Sequence, residues 1–557
     1  MDFTIKQLDH LGVIAGSMQD LKVAAEADMR LGTNEQMNVT HGEIIEAMIL
    51  NGLGFSNRPI SLTPQFFVNK PLDLLIRDGI TGDQLNRHKI GRTLDAIATY
   101  GCEEFFNETA LTICVAEKID LSRLHNDTTN FSLEGAFENQ EEDVEVHINH
   151  GYSKAKRPDL KQIVLELVVS RDGSVPFMMK PWSGNAADNN IFNARIKSLH
   201  QATKDSHTGR ILLGDAKLYT EKNILELGTM YFITRVPGSI ALARDYVAKA
   251  LADNIWTVIK KKEKSDTDKA KNDQIYKYRS FDLEHYGTKM RWVVIYSQQA
   301  HERAKKTLSR VIKKKTEQLT KELFHLQAKR FECGEDAKNA LDAIAKKYPY
   351  YRISAPNITT TEHYKTRGRP TLNAKKVSGS YQVTATFELV QAAVDDALEH
   401  DSCFVLATNV PEAQLASASV LGEYKGQDCV EKSFGFIKDP SFFAASFFLK
   451  SVSRIQALLV IMTLALLVYT VAQRRLRQWL TTNKKTIPNQ IKKETERPTL
   501  RWAFQLLEGI YNVKVMAIPG KVQIVIQGIT DLKRLILSGL GKNVARIYGL
   551  DAETSSA

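Results

Sequence analysis

Asp127 and Asp215 each stand where an apolar stretch gives way to polar residues, in LHNDTTN and ILLGDAK. In open α/β sheets the strand ends are where ligands gather. Alone, an Asp so placed is more often a cap or turn residue. A third acidic residue sits in a patterned segment. Within YKGQDCVEKSFGFIK, Tyr424, Gln427, Glu431 and Lys438 fall at offsets 0, 3, 7 and 14, near one face of a helix. Carboxylates offer the hard oxygens that Mg²⁺ prefers over nitrogen or sulfur ligands.

The elements that must position these residues change texture along the chain. Up to about residue 110 the pattern is helical. Thr40 and Glu43 have capping-box spacing ahead of Ile44, Ile45, Met48 and Ile49. A later segment carries Arg87, His88, Lys89 and Arg92 opposite Leu85, Leu94 and Ile97, which suits either a helix-turn-helix reader or a solvated face. From about 120, strands and helices alternate. LSRLHNDTT reads as a strand ending in a polar turn, and QIVLELVVS and SVPFMMKP as a hairpin about Arg171-Asp172-Gly173. AADNNIFNARIKSLHQATK suits a helix, and RILLGD and MYFITRV are strands, giving a mixed α/β sheet.

Residues 240 to 400 are irregular and strongly charged, with a long basic helix and strands of their own, as in a domain inserted into the first. The stretch from Tyr424 to about Leu480 reads as helical. The 557 residues carry 75 basic and 64 acidic side chains, a net charge of +11, which points to a polyanionic partner. Five scattered cysteines support neither a zinc site nor a disulfide framework, and the N-terminal residues lack a signal-peptide pattern. The uncharged run from Ala457 to Ala472 is short for a membrane span and suits a buried core helix; a single membrane anchor is the rival reading.

The run Tyr-x2-Arg-x3-Glu-x6-Lys marks a large group of bacterial insertion-sequence transposases, cut-and-paste enzymes of the DDE type with an RNase H-like core. This chain resembles them at Tyr424, Glu431 and Lys438, with Gln427 in the Arg place. HNDTTNF, GYSKAKRPDLKQ, GNAADN, LLGDAKLY and PTLRWAFQLLEGI are also similar to that group, in the same order along nearly the whole chain.

The resemblance implies that Asp127, Asp215 and Glu431 are the catalytic carboxylates and the ligands of two Mg²⁺ ions, with Mn²⁺ able to replace them. Tyr424, Gln427 and Lys438 would then serve the DNA. A neutral Gln427 lacks the charged fork of Arg. The implied layout is a helical DNA-binding region over 1–115 and a first core part over 116–238. An insertion domain over 239–400, a second core part over 401–480 and a tail over 481–557 complete it. The implied partners are double-stranded DNA, as terminal inverted repeats and target, and a second copy of the chain on paired ends, in the bacterial cytoplasm at the nucleoid and without a membrane. An inactive DNA-binding relic is the alternative.

Weaker signals remain. Arg367 and Arg369, in RGRP, resemble an AT-hook core or mark an exposed turn. Trp182 suits either base stacking or packing, the basic helix over 303–330 either phosphate binding or solvation. His147 and His150 lack a nearby cysteine and are read as non-ligands.

Overall fold

The computed structural model describes residues 2–138, 145–154, 156–202, 209–259, 275–364, 376–442, 449–518 and 521–550. The chain divides into two compact units, one of residues 1–234, 286–288 and 422–557, the other of residues 235–285 and 289–421. The stretch 239–400 read as an insertion lies in the second unit, apart from 286–288.

The sheet of the first unit is built on five strands: Arg123–Leu133, Lys161–Ser170, Pro176–Ser183, Ile211–Gly214 and Tyr231–Arg235. Their spatial order is third, second, first, fourth, fifth. The second strand is antiparallel to the first and third, while the first, fourth and fifth run parallel. This is the mixed α/β sheet read from the sequence, in the RNase H-like arrangement that the resemblance implies. The hairpin joining the second and third strands turns where Gly173 takes φ +79°, a conformation without cost for glycine.

One reading of the first strand is corrected. It does not stop at a polar turn after Asp127 but continues to Leu133, paired throughout with Lys161–Ser170. The polar run is partly satisfied: Asn126 Nδ2 donates to Glu166 Oε1 at 2.9 Å, while among the described residues Asn126 Oδ1 and both ring nitrogens of buried His125 have no hydrogen-bond partner. Glu166 is fully buried and also receives Arg195 Nε at 3.0 Å and the Trp182 indole N–H at 3.0 Å. That pairing satisfies a buried charge which would otherwise be costly.

A 31-residue helix, Val452–Thr482, lies at the centre of this unit, and every residue from Ala457 to Ala472 is buried. It is apolar on all sides because protein surrounds it on all sides. The helices Leu11–Asp20, His41–Leu53, Arg87–Tyr100 and Cys102–Ala116 pack around it. The helix His41–Leu53 opens with the capping box read from Thr40 and Glu43. The two ends of the chain meet in a small sheet, where Asp2–Gln7 pairs antiparallel with Tyr511–Ile518. The helical N-terminal residues therefore share one core with the sheet and the tail.

In the second unit, Cys403–Thr408 pairs antiparallel with Thr288–Ser297, which is followed across the sheet by Tyr276–His285 and Thr257–Val258. The basic helix Gln298–Ala328 buries only Leu308, Leu319 and Leu326 of its 31 residues. A separate small core gathers Leu319, Phe331, Leu341, Tyr348, Tyr351 and Val383 beneath a long hairpin.

Candidate functional site

Register brings the two aspartates together. The first and fourth core strands are parallel, with His125 opposite Leu213. Asp127 and Asp215 each lie two residues beyond that pair, close enough for the charge of Asp215 to act on Asp127. Asp127 is inside its strand, whereas Asp215 follows the last residue of the much shorter fourth strand.

Each carboxylate is tied locally by one oxygen. Thr128 N–H donates to Asp127 Oδ1 at 2.7 Å, and Lys217 N–H donates to Asp215 Oδ1 at 2.8 Å. The Thr234 hydroxyl donates to the Asp215 carbonyl at 2.7 Å, fixing the turn. The second oxygen of each aspartate accepts no hydrogen bond among the described residues. Burial pushes the Asp127 carboxyl up to about 6, with the charges of Asp215 and Asp188 adding to the rise; the Thr128 N–H and Lys154 oppose it. Asp215 is raised for the same first reason, with Asp188 again contributing. A crowded, partly desolvated pair of carboxylates is the environment that a bound cation would relieve.

The Glu431 segment lies along the same strand. Sequence offsets place Tyr424, Gln427, Glu431 and Lys438 on one helix, but the structure divides the segment. One helix is Ser417–Lys425 and the next is Asp428–Ile437, with Gly426 and Gln427 between them. There the N–H of Gly426 bonds to Glu423 O and that of Gln427 to Tyr424 O, a tighter three-residue winding that breaks the common face. Gly426 sits in a close approach: a Cβ there would lie 3.0 Å from the His125 ring and from Glu423 O, so these neighbours would have to give way slightly.

At the other end, the Lys438 ammonium lies 5.4 Å from the ring centre of Phe131. His125, Asp127 and Phe131 alternate onto one face of the strand. From His125 to Phe131 the strand advances about 20 Å, and from Gly426 to Lys438 the helical path advances about 18 Å. The two therefore run side by side in the same direction. Glu431 lies in the first turn of the helix Asp428–Ile437. Glu431 is exposed, and among the described residues no cluster of three or more metal-type side chains has closed. The structure thus brings Asp127 and Asp215 together and leaves Glu431 outside that pair, on a helix that packs along the first strand.

The remaining expected residues fall as follows. Tyr424 is half-buried at the end of its helix. Gln427 is buried, with 8% exposure, and its amide oxygen has no hydrogen-bond partner among the described residues. Lys438 is half-buried, and burial, with Lys154 nearby, lowers its ammonium to about 8. Arg367 and Arg369 lie outside the described residues. Trp182 is held by its bond to Glu166, with the Lys180 ammonium 4.9 Å from its ring centre.

Two residues were missed. The Thr128 hydroxyl donates to Asp188 Oδ1 at 2.6 Å, and the Lys154 ammonium donates to Thr128 O at 2.9 Å. Both charges act on Asp127 and Asp215. The segments GNAADN and GYSKAKRPDLKQ contain them, but no spacing rule ties either segment to LHNDTTN.

The donor set fits a hard divalent ion. Mg²⁺ is commonly held by one or two carboxylates together with substrate phosphates rather than by a closed protein cage, and two aspartates with free oxygens offer that half-site. In comparisons with known proteins, residues 3–111 match a family model described as "Domain of unknown function (DUF4277)". No curated protein matches the chain. Among solved structures, the chain is similar to a piggyBac transposase synaptic complex with hairpin DNA, studied by cryo-EM. The identity is 9%, over 91% of this chain and 83% of that one, with a TM-score of 0.37. Likeness at that score carries no argument about chemistry.

Proposed function

We propose that the chain is a DDE transposase that binds the inverted repeats of its element and catalyses metal-dependent DNA strand cleavage and strand transfer. The observation that carries this reading is the approach of Asp127 and Asp215, each two residues beyond the paired His125 and Leu213 of parallel strands, with the Glu431 helix laid along the first strand. The resemblance of the Tyr424, Glu431 and Lys438 segment to the insertion-sequence enzymes agrees with it.

Asp127 and Asp215 would hold Mg²⁺, or Mn²⁺ in its place, and Glu431 would complete the set on engaging DNA. Such ions activate an attacking oxygen and stabilise the leaving one in an in-line displacement. Asp127 must be ionised for this, and its carboxyl, raised to about 6, is mostly so at neutral pH. Lys438 would meet a phosphate beside the cut as a point charge. The net charge of +11 and the exposed lysines of Gln298–Ala328 favour a polyanion over a neutral substrate. A dimer on paired ends in the bacterial cytoplasm completes the proposal.

The test is incubation of purified protein with Mg²⁺ and labelled end DNA. Strand cleavage by the wild type and its loss in Asp127→Ala and Asp215→Ala is expected. Equal cleavage by wild type and Asp127→Ala would sink the assignment, and binding without any cutting would favour the inactive relic.

A further inference from the structure

Thr128 is the meeting point of three bonds that the triad does not require. Its N–H serves Asp127, its hydroxyl serves Asp188 at 2.6 Å, and its carbonyl receives the Lys154 ammonium at 2.9 Å. The same ammonium lies 3.2 Å from the Thr128 hydroxyl oxygen and 3.9 Å from Asp188 Oδ2. We propose that Lys154 is a tethered counter-ion of the carboxylate cluster and the contact for the DNA phosphate at the cut, positioned by Thr128 and Asp188. This rests on the transposase reading above.

The bland alternative is a surface salt bridge, worth little. Three facts weigh against it. The distance of 3.9 Å to Asp188 is too long for a committed pair, and the nearest acceptor, a carbonyl, is neutral. The lysine side chain keeps 39% of its exposure, so at least one of its three N–H donors can turn to an incoming anion. Its charge also reaches Asp127, Asp215 and Lys438, so it acts on the carboxylates and on the other ammonium alike. A phosphodiester approaching Asp127, Asp215 and Asp188 alone would be repelled. The Lys154 and Lys438 ammonium groups offset that field where the backbone must lie.

A counter-ion competes with any other cation for the same carboxylates. Full-length wild type, Lys154→Met, Lys154→Arg and Asp127→Asn would be titrated with Mg²⁺ alone by calorimetry. Each would then be titrated with end DNA, without divalent ions, at several salt concentrations. Lys154→Met should bind Mg²⁺ on the order of tenfold more tightly, since a neighbouring positive charge is gone. Its DNA affinity should fall, with a salt slope smaller by about one charge. Lys154→Arg should keep the wild-type salt slope. Unchanged or weaker Mg²⁺ binding by Lys154→Met, or an unchanged salt slope, would overturn the proposal. If Mg²⁺ binding by the wild type is absent, or is equal in Asp127→Asn, the metal site itself fails and the proposal fails with it. If Asp127→Asn abolishes binding while Lys154→Met does nothing, only the role of Lys154 is lost.

Discussion

Replacing Asp127 by Asn should make the metal-free protein more stable at neutral pH, at the expense of its chemistry. The Asp127 carboxyl is raised from 3.8 to about 6 by burial, so between those values the folded state binds more protons than the unfolded state. Stability therefore falls as pH rises through that window, and the loss is complete above it. At about 1.4 kcal/mol for each pH unit, the ionised carboxylate costs the fold up to about 3 kcal/mol. Asparagine has the same shape, keeps an oxygen for the Thr128 N–H and cannot ionise. It can also donate toward Asp215. We expect Asp127→Asn to match the wild type near pH 4 and to exceed it by about 1–3 kcal/mol at pH 7.5. Guanidinium unfolding followed by tryptophan fluorescence at both pH values, without divalent ions, measures this. A variant less stable than wild type at pH 7.5, or a difference that does not change with pH, would refute the reasoning.

Lys438, lowered to about 8 by burial, should lose its charge between pH 7 and 9. DNA affinity should then weaken several-fold over that range in the wild type and not in Lys438→Met, as read by fluorescence anisotropy. Gly426→Ala should force a Cβ against the His125 ring and Glu423 O, costing about 1–3 kcal/mol. Cleavage should fall further than DNA binding, because the Glu431 helix shifts against the strand. Leu459→Ala, at a fully buried position of the central helix, should cost about 2–5 kcal/mol in thermal or chemical unfolding. A cost near zero would mean that protein does not pack around this run.

The strand and helix order of the core was readable because each segment carries its own signal. The apolar runs, the Asp172-Gly173 turn and the Thr40–Glu43 capping box are all local. What was not readable depends on residues far apart in sequence. LHNDTTN has the composition of a turn, yet pairing with Lys161–Ser170 and the buried Glu166–Arg195 pair carry it on as a strand. Periodicity alone put Tyr424 and Glu431 on one helix; the break at Gly426 sits against His125, three hundred residues earlier. The Ala457–Ala472 run has one composition for a membrane and for a core, and only the helices around it decide which. Asp127 and Asp215 could be singled out as candidates, but their approach could not. Lys154 and Asp188 had no sequence rule to reveal them.

The central claim is that Asp127 and Asp215 form the carboxylate pair at which a divalent ion is held for DNA cleavage. Crystals grown with Mn²⁺ and end DNA test it through the anomalous signal of the metal. The account predicts a peak in contact with both Asp127 and Asp215, lost in Asp127→Asn. A peak bound elsewhere, or one that persists unchanged in that variant, would contradict it.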